Sequence, residues 1–140
     1  MTRQLDFMFK CIFNETRKVH EQLLSGTELT PVQCLIIELL GSRKDKTASQ
    51  KEIEQFLMVQ HSTVSGIIKR MEQKGLVRCI PNESDRRIKD VTLTEKADQF
   101  KDAFYQCNLI VQQQLTKGMS ESDKQELLRL LTIVLSNFKN

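Results

Sequence analysis

Apolar residues near the start of the chain recur at mostly three- and four-residue steps: Leu5, Met8, Phe9, Ile12, Phe13, Val19, Leu23 and Leu24. That rhythm predicts one long helix with a single apolar stripe, ended by Ser25-Gly26. Thr30-Pro31-Val32-Gln33 is a compact start signal, in which threonine caps, proline suits the first helical position and Gln33 can reach back to the cap. The helix it opens runs through the apolar stretch 34–40 to Gly41, and a polar loop follows over 42–48. Ser49 and Glu52 repeat the capping logic for a helix over 50–58, with Ile53, Phe56 and Leu57 inward. After a turn at Val59-Gln60-His61, a further helix capped by Ser62 or His61 buries Val64, Ile67, Ile68 and Met71, and Gly75 stops it.

The rhythm then shortens. Residues 76–80 and 88–93 are β-rich runs on either side of the turn-rich connector 81–87, which predicts a hairpin. Thr94 is expected to cap a helix of roughly 24 residues, lined by Phe100, Phe104, Cys107, Val111 and Leu115 and broken at Gly118. Ser120 and Asp123 cap a last helix whose stripe is Leu127, Leu130, Leu131, Val134, Leu135 and Phe138. The expected fold is mainly α with a small β-hairpin wing (α+β): a winged helix-turn-helix with long N- and C-terminal helices. A polar-tipped helix followed by a basic hairpin suits duplex DNA, because the helix fits the major groove and the hairpin reaches phosphates or the narrower groove.

Charge sharpens that expectation. The whole chain carries +3, yet residues 61–89 hold seven basic residues against three acidic ones, +4, leaving 14 basic against 15 acidic elsewhere. The excess lies in the segment expected to touch DNA. No run approaches the roughly 20 apolar residues that cross a bilayer. The N-terminus intersperses charges and lacks a small-residue cleavage site, so a cytoplasmic location is expected. The four cysteines are widely spaced with no C-x-x-C pair, and only two histidines occur, which argues for reduced thiols and against a zinc site. No glycine-rich phosphate loop, nucleophile elbow or carboxylate motif is present, so neither an enzyme nor a cofactor is expected.

Several of these segments resemble one known family. Leu29-Thr30-Pro31-Val32-Gln33, Ser62-Thr63-Val64-Ser65, the run Met71-Glu72-Gln73-Lys74-Gly75-Leu76-Val77-Arg78, and Ser84-Asp85-Arg86-Arg87 followed by Val91-Thr92-Leu93-Thr94 are similar, in order and spacing, to the MarR family of bacterial transcriptional regulators. The resemblance covers nearly the whole chain. It departs at Ala97, where the family often has glycine, a change that helix propensity makes harmless. It implies a single domain, with residues 29–93 binding DNA and residues 1–28 and 94–140 forming a helical dimerisation part. It also implies an obligate homodimer, built by the first, fifth and sixth helices, on a pseudo-palindromic operator. Independently, the long stripes of the terminal helices are more than one small winged domain can cover.

The candidate DNA-binding residues are Ser62, Thr63, Ser65 and Gly66 at the head of the recognition helix, then Lys69 and Arg70. In the wing they are Asp85, Arg86, Arg87 and Lys89, with Gln33, Gln50 and Lys51 at helix starts. Capping is an alternative role for Ser62, and His61 is either a phosphate contact or an inert turn residue. The resemblance implies that one wing arginine enters the minor groove and that Asp85 pairs with a wing arginine to direct it. It also suggests an effector: a small aromatic acid near Phe13, Arg17 and His20, with Arg17 as carboxylate partner, or an oxidant at Cys11. Core and surface roles explain those residues equally well. The expected function is a homodimeric repressor released by small ligand or oxidant, against the alternative of a winged-helix protein-interaction module without DNA binding.

Overall fold

The computed structural model describes residues 2–139, with side chains from residue 4 onward. The elements, in order, are α1 (Thr2–Leu23), α2 (Pro31–Ser42), β1 (Thr47–Ser49), α3 (Gln50–Leu57), α4 (His61–Gln73), β2 (Val77–Pro81), β3 (Lys89–Leu93), α5 (Glu95–Asp98), α6 (Lys101–Leu115) and α7 (Glu121–Ser136). The chain divides into two compact units, residues 1–107 and residues 108–140.

In the first unit, the inner faces of α2, α3 and α4 close over a three-stranded antiparallel sheet of order β1-β3-β2. Its fully buried centre is Cys34, Ile36, Ile37, Leu40, Ile53, Val64, Met71, Leu76, Val77 and Val91. The apolar stretch of α2 lies here because a helix wrapped on several sides needs apolar residues around most of its girth. Three capping boxes form as the spacing predicts: Thr30 with Gln33, Ser49 with Glu52, and Ser120 with Asp123. Gly26, Gly75 and Gly118 close helices at φ +86, +77 and +84, a left-handed region that penalises a side chain.

Five local expectations change, the first being Phe56, expected inward on α3 and 48% exposed. The loop expected over 42–48 contains β1, whose pairs Thr47↔Thr92, Ala48↔Val91 and Ser49↔Asp90 come from a strand more than forty residues away. Only Ala48 of the three is buried, so a run this short carries no readable alternation. Gly41 does not end α2. The helix continues to Ser42, and Arg43 N–H closes it on the Leu40 carbonyl at 3.1 Å. Neither Ser62 nor His61 caps α4. Gln60 holds that position without a side-chain bond, and the helix begins two residues earlier than a Ser62 cap would set. The expected helix of about 24 residues breaks at residues 99–100 into α5 and α6, and the Thr94 hydroxyl donates to the Gly75 carbonyl at 2.6 Å instead of capping.

In the second unit, α7 has no buried residue. Leu128, Leu130, Ile133, Leu135 and Phe138 are 45–79% exposed.

Candidate nucleic-acid interface

The helix-turn-helix is α3 and α4, joined over residues 58–60, where Met58 adopts a left-handed conformation at φ 56, ψ 43. The His61 ring fastens this turn: its Nδ1 lies 2.8 Å from Glu54 Oε2 and 3.2 Å from the Gln50 side-chain amide. Gln50 is thereby buried, with 6% exposed. Gln33 is 2% exposed, and its Oε1 accepts from Thr30 N–H at 3.2 Å and from Lys74 Nζ at 3.1 Å. Both glutamines, expected from the sequence as exposed contacts, are buried and hydrogen-bonded within the fold, whereas Lys51 stays exposed on α3.

The inner face of α4 is Val64, Ile67, Ile68 and Met71. At about 100° per residue, the direction opposite these four is occupied by Ser62, Gly66, Lys69 and Gln73. Thr63 and Arg70 flank that line on one side and Ser65 on the other. Ser62, Thr63, Lys69, Arg70 and Gln73 are exposed, and Ser65 and Gly66 half-buried. The residues read from the sequence thus share one outward surface, and Gln73 joins them, legible from the same periodicity. Lys74 does not. Its ammonium donates to the Glu28 carbonyl and to Gln33, tying the end of α4 to the segment before α2.

The wing is β2, β3 and the connector between them. Val77 faces the core, so the alternation of a strand turns Arg78 outward. At the tip, Asn82 Oδ1 accepts from the amides of Ser84 at 2.9 Å and Asp85 at 3.0 Å, while its Nδ2 donates to Asp90 Oδ2 at 2.9 Å. This asparagine turn holds the hairpin in one shape, a role for Asn82 and Asp90 that reading by charge misses.

Asp85 takes Arg87 as its partner. The guanidinium donates through Nε to Oδ1 and through Nη2 to Oδ2, both at 3.0 Å, and Arg87 N–H adds a third bond at 3.1 Å. Arg86 beside it is exposed, and no carboxylate pairs with it among the described residues. The Arg87 guanidinium, and then its backbone amide, hold the Asp85 carboxyl below the usual range. A depressed folded value means that the clamp's contribution is fully present above the ordinary aspartate pKa of about 3.9. It is lost as pH falls through the lower folded value. The Asp85 carboxyl resonance is therefore expected to titrate below an ordinary aspartate and to return upward in Arg87→Ala. A midpoint indifferent to that substitution would mean that the clamp is absent in solution.

The arginines sort by location. Arg17 pairs with Glu21, Arg43 with Glu52, Arg87 with Asp85 and Arg129 with Glu126. Arg70, Arg78 and Arg86 hold no carboxylate among the described residues, and all three belong to α4 and the wing. Lys69 and Lys89 are also exposed there without an ion pair.

Away from this surface, Phe13 is 67% exposed, Arg17 is exposed and His20 half-buried, all on α1. Burial pushes the Cys34 thiol up to about 12 and Cys79 to about 11, and raises Cys107. Cys11 is half-buried on α1. No helix is long and apolar enough to cross a membrane among the described residues.

A family model described as the MarR family matches residues 27–88. The HTH-type transcriptional repressor NicR of Pseudomonas putida is 24% identical over 140 residues, spanning 100% of this chain and 87% of that protein. The HTH-type transcriptional repressor IacR of Pseudomonas putida is 28% identical over 119 residues, 85% of this chain and 70% of its own length. Among solved structures, a complex of Staphylococcus aureus MepR with DNA superposes with a TM-score of 0.88 at 24% identity, covering 95% of this chain and 97% of that one.

Proposed function

We propose that this chain, which a model of the MarR family matches over residues 27–88, is a member of that family and a sequence-specific double-stranded-DNA-binding transcriptional regulator. In this reading it is a homodimeric repressor of a pseudo-palindromic operator, released by a small ligand or an oxidant. It is not an enzyme, and it acts in the cytoplasm, where its DNA partner lies.

The observation that carries the reading is the sorting of the arginines. A protein that used these side chains for its own stability would pair them, as it does Arg17, Arg43 and Arg129. Unpaired guanidinium groups on a helix and a hairpin beside it are suited to phosphates and base edges. The same observation disfavours an interaction module that has lost DNA binding. Ser62, Thr63, Ser65, Gly66, Lys69 and Arg70 enter the major groove, Arg86 reaches the minor groove, Asp85 and Arg87 fix the wing's direction, and Lys89 and Lys51 contact phosphates.

Residues 29–93 form the DNA-binding part, with residues 1–28 and 94–140 providing the dimer interface. Two observations support that division, each within its own unit. On α1, Leu5, Phe7, Met8, Ile12 and Phe13 are 46–67% exposed. On α7 nothing is buried at all. Helices with such uncovered apolar surface belong to an interface more often than to solvent. For the effector, Phe13, Arg17 and His20 present a ring, a cation and an imidazole on one helix, suited to a small aromatic acid that displaces Glu21 from Arg17. An oxidant would act at Cys11, the half-buried thiol on α1.

The test is a gel shift against duplex selected from a randomised library, repeated over a range of salt. Arg86→Ala is expected to weaken binding and to flatten the salt slope by about 0.9 for the phosphate charge it ceases to neutralise. Affinity and slope equal to the wild type would take the wing out of the mechanism.

A further inference from the structure

Gly66 occupies an expensive place. It lies in the interior of α4, where glycine is a poor helix former relative to alanine. Nothing inside the protein demands it. A Cβ built there would meet only Arg70 Nη1, at 3.5 Å, an ordinary contact with the far end of a flexible side chain. Its backbone conformation is not left-handed either. The reason for glycine must then lie outside the chain.

The same contact locates Arg70. Helical side chains lean toward the N-terminus, and Arg70 has drawn back a full turn until its guanidinium lies against Gly66. There it sits beside the outward line through Ser62, Gly66, Lys69 and Gln73. No carboxylate among the described residues holds it, although Asp85 takes Arg87 and Glu72 accepts from the Cys79 amide. A planar fork with free donors, laid along the surface of a recognition helix, matches the O6 and N7 acceptors that guanine presents in the major groove.

We propose that Arg70, folded back across the gap at Gly66, reads a guanine in each half-site, and that Gly66 is the absence of side chain which lets both the guanidinium and the helix backbone approach the base edges. The proposal rests on the DNA-binding reading and adds the specificity-determining residue to it. Lys69, one position earlier, is a point charge without the fork and fits a phosphate better.

The experiment selects duplexes from a randomised library with the wild type, Arg70→Ala, Arg70→Lys and Gly66→Ala. The wild-type consensus is then remade with 7-deazaguanine, which lacks N7, at each guanine in turn. The wild type is expected to select one invariant guanine per half-site and to lose about 10-fold or more on its 7-deaza substitution. Arg70→Ala should lose roughly 10- to 100-fold on the consensus. It should then be indifferent to the 7-deaza change, and Arg70→Lys should not restore the preference. Gly66→Ala should melt no earlier than the wild type, yet bind the consensus less tightly.

An Arg70→Ala loss that is equal on all sequences, with a salt slope reduced by about 0.9, marks a phosphate contact and overturns the proposal. Gly66→Ala with undiminished guanine selection removes the gap from it and overturns it likewise. A wild type that binds no duplex at any salt sinks the DNA-binding reading itself, an outcome distinct from salt-dependent binding without a guanine requirement.

Discussion

Replacing Leu127 and Leu131 together with glutamate is expected to convert the proposed dimer into a monomer and to lower operator affinity by about 100- to 10,000-fold. That is the range in which two linked half-site contacts exceed one. These two leucines are 36% and 39% exposed, on a helix where nothing is buried within the chain. An isolated helix of that length is marginal in water, because the cost of nucleation is recovered only by packing an apolar face. In the proposed dimer a partner surface would cover it, and two carboxylates on that stripe would have to be desolvated when that surface closes. Sedimentation velocity reads the mass, and a gel shift on the selected duplex reads the affinity. A double variant that still sediments as a dimer and binds as tightly would remove α7 from the interface. A wild type that is monomeric at micromolar concentration would remove the dimer altogether.

The second large effect concerns the fold. Met71→Ala is expected to destabilise the protein by about 2–5 kcal/mol, the cost of deleting a long buried side chain and leaving part of its volume empty. Met71 is 0% exposed on the inner face of α4, among the residues that seat the recognition helix on α3 and the sheet. A domain of this size has about 5–15 kcal/mol in all, so the variant should melt well below the wild type and bind DNA weakly when warmed. Arg70 is its immediate neighbour, about 100° around the helix and exposed. Arg70→Ala should leave the melting temperature nearly unchanged while impairing DNA recognition. Urea denaturation compares the two. A Met71→Ala midpoint matching the wild type would mean that the core can repack around the gap, against the geometry of a fully buried site.

Much of the architecture was legible beforehand because its signals are local. Thr30 with Gln33, Ser49 with Glu52 and Ser120 with Asp123 cap helices through atoms three residues apart. The inner face of α4 follows from a 3.6-residue period that no distant residue needs to confirm. The outward surface of α4 follows with it, as does the excess of cationic residues from 61 to 89.

What escaped the reading depended on partners far along the chain. Gln33 and Gln50 look from the sequence like exposed polar residues at helix starts. They are buried because Lys74, 41 residues on, and His61, 11 residues on, complete their hydrogen bonds. Thr94 has the composition of a cap, yet its hydroxyl goes to Gly75, 19 residues earlier.

The helices up to α4, the hairpin and its cationic tip were determined by the amino-acid sequence alone, since caps, periodicity and turn chemistry act over a few residues. Only the tertiary structure decided that Asp85 holds Arg87 rather than Arg86, that Lys74 turns inward, and that Arg70 lies folded over Gly66. Charges adjacent in sequence are indistinguishable until the backbone aims them, and the choice among partners is made by distances that only a packed chain possesses.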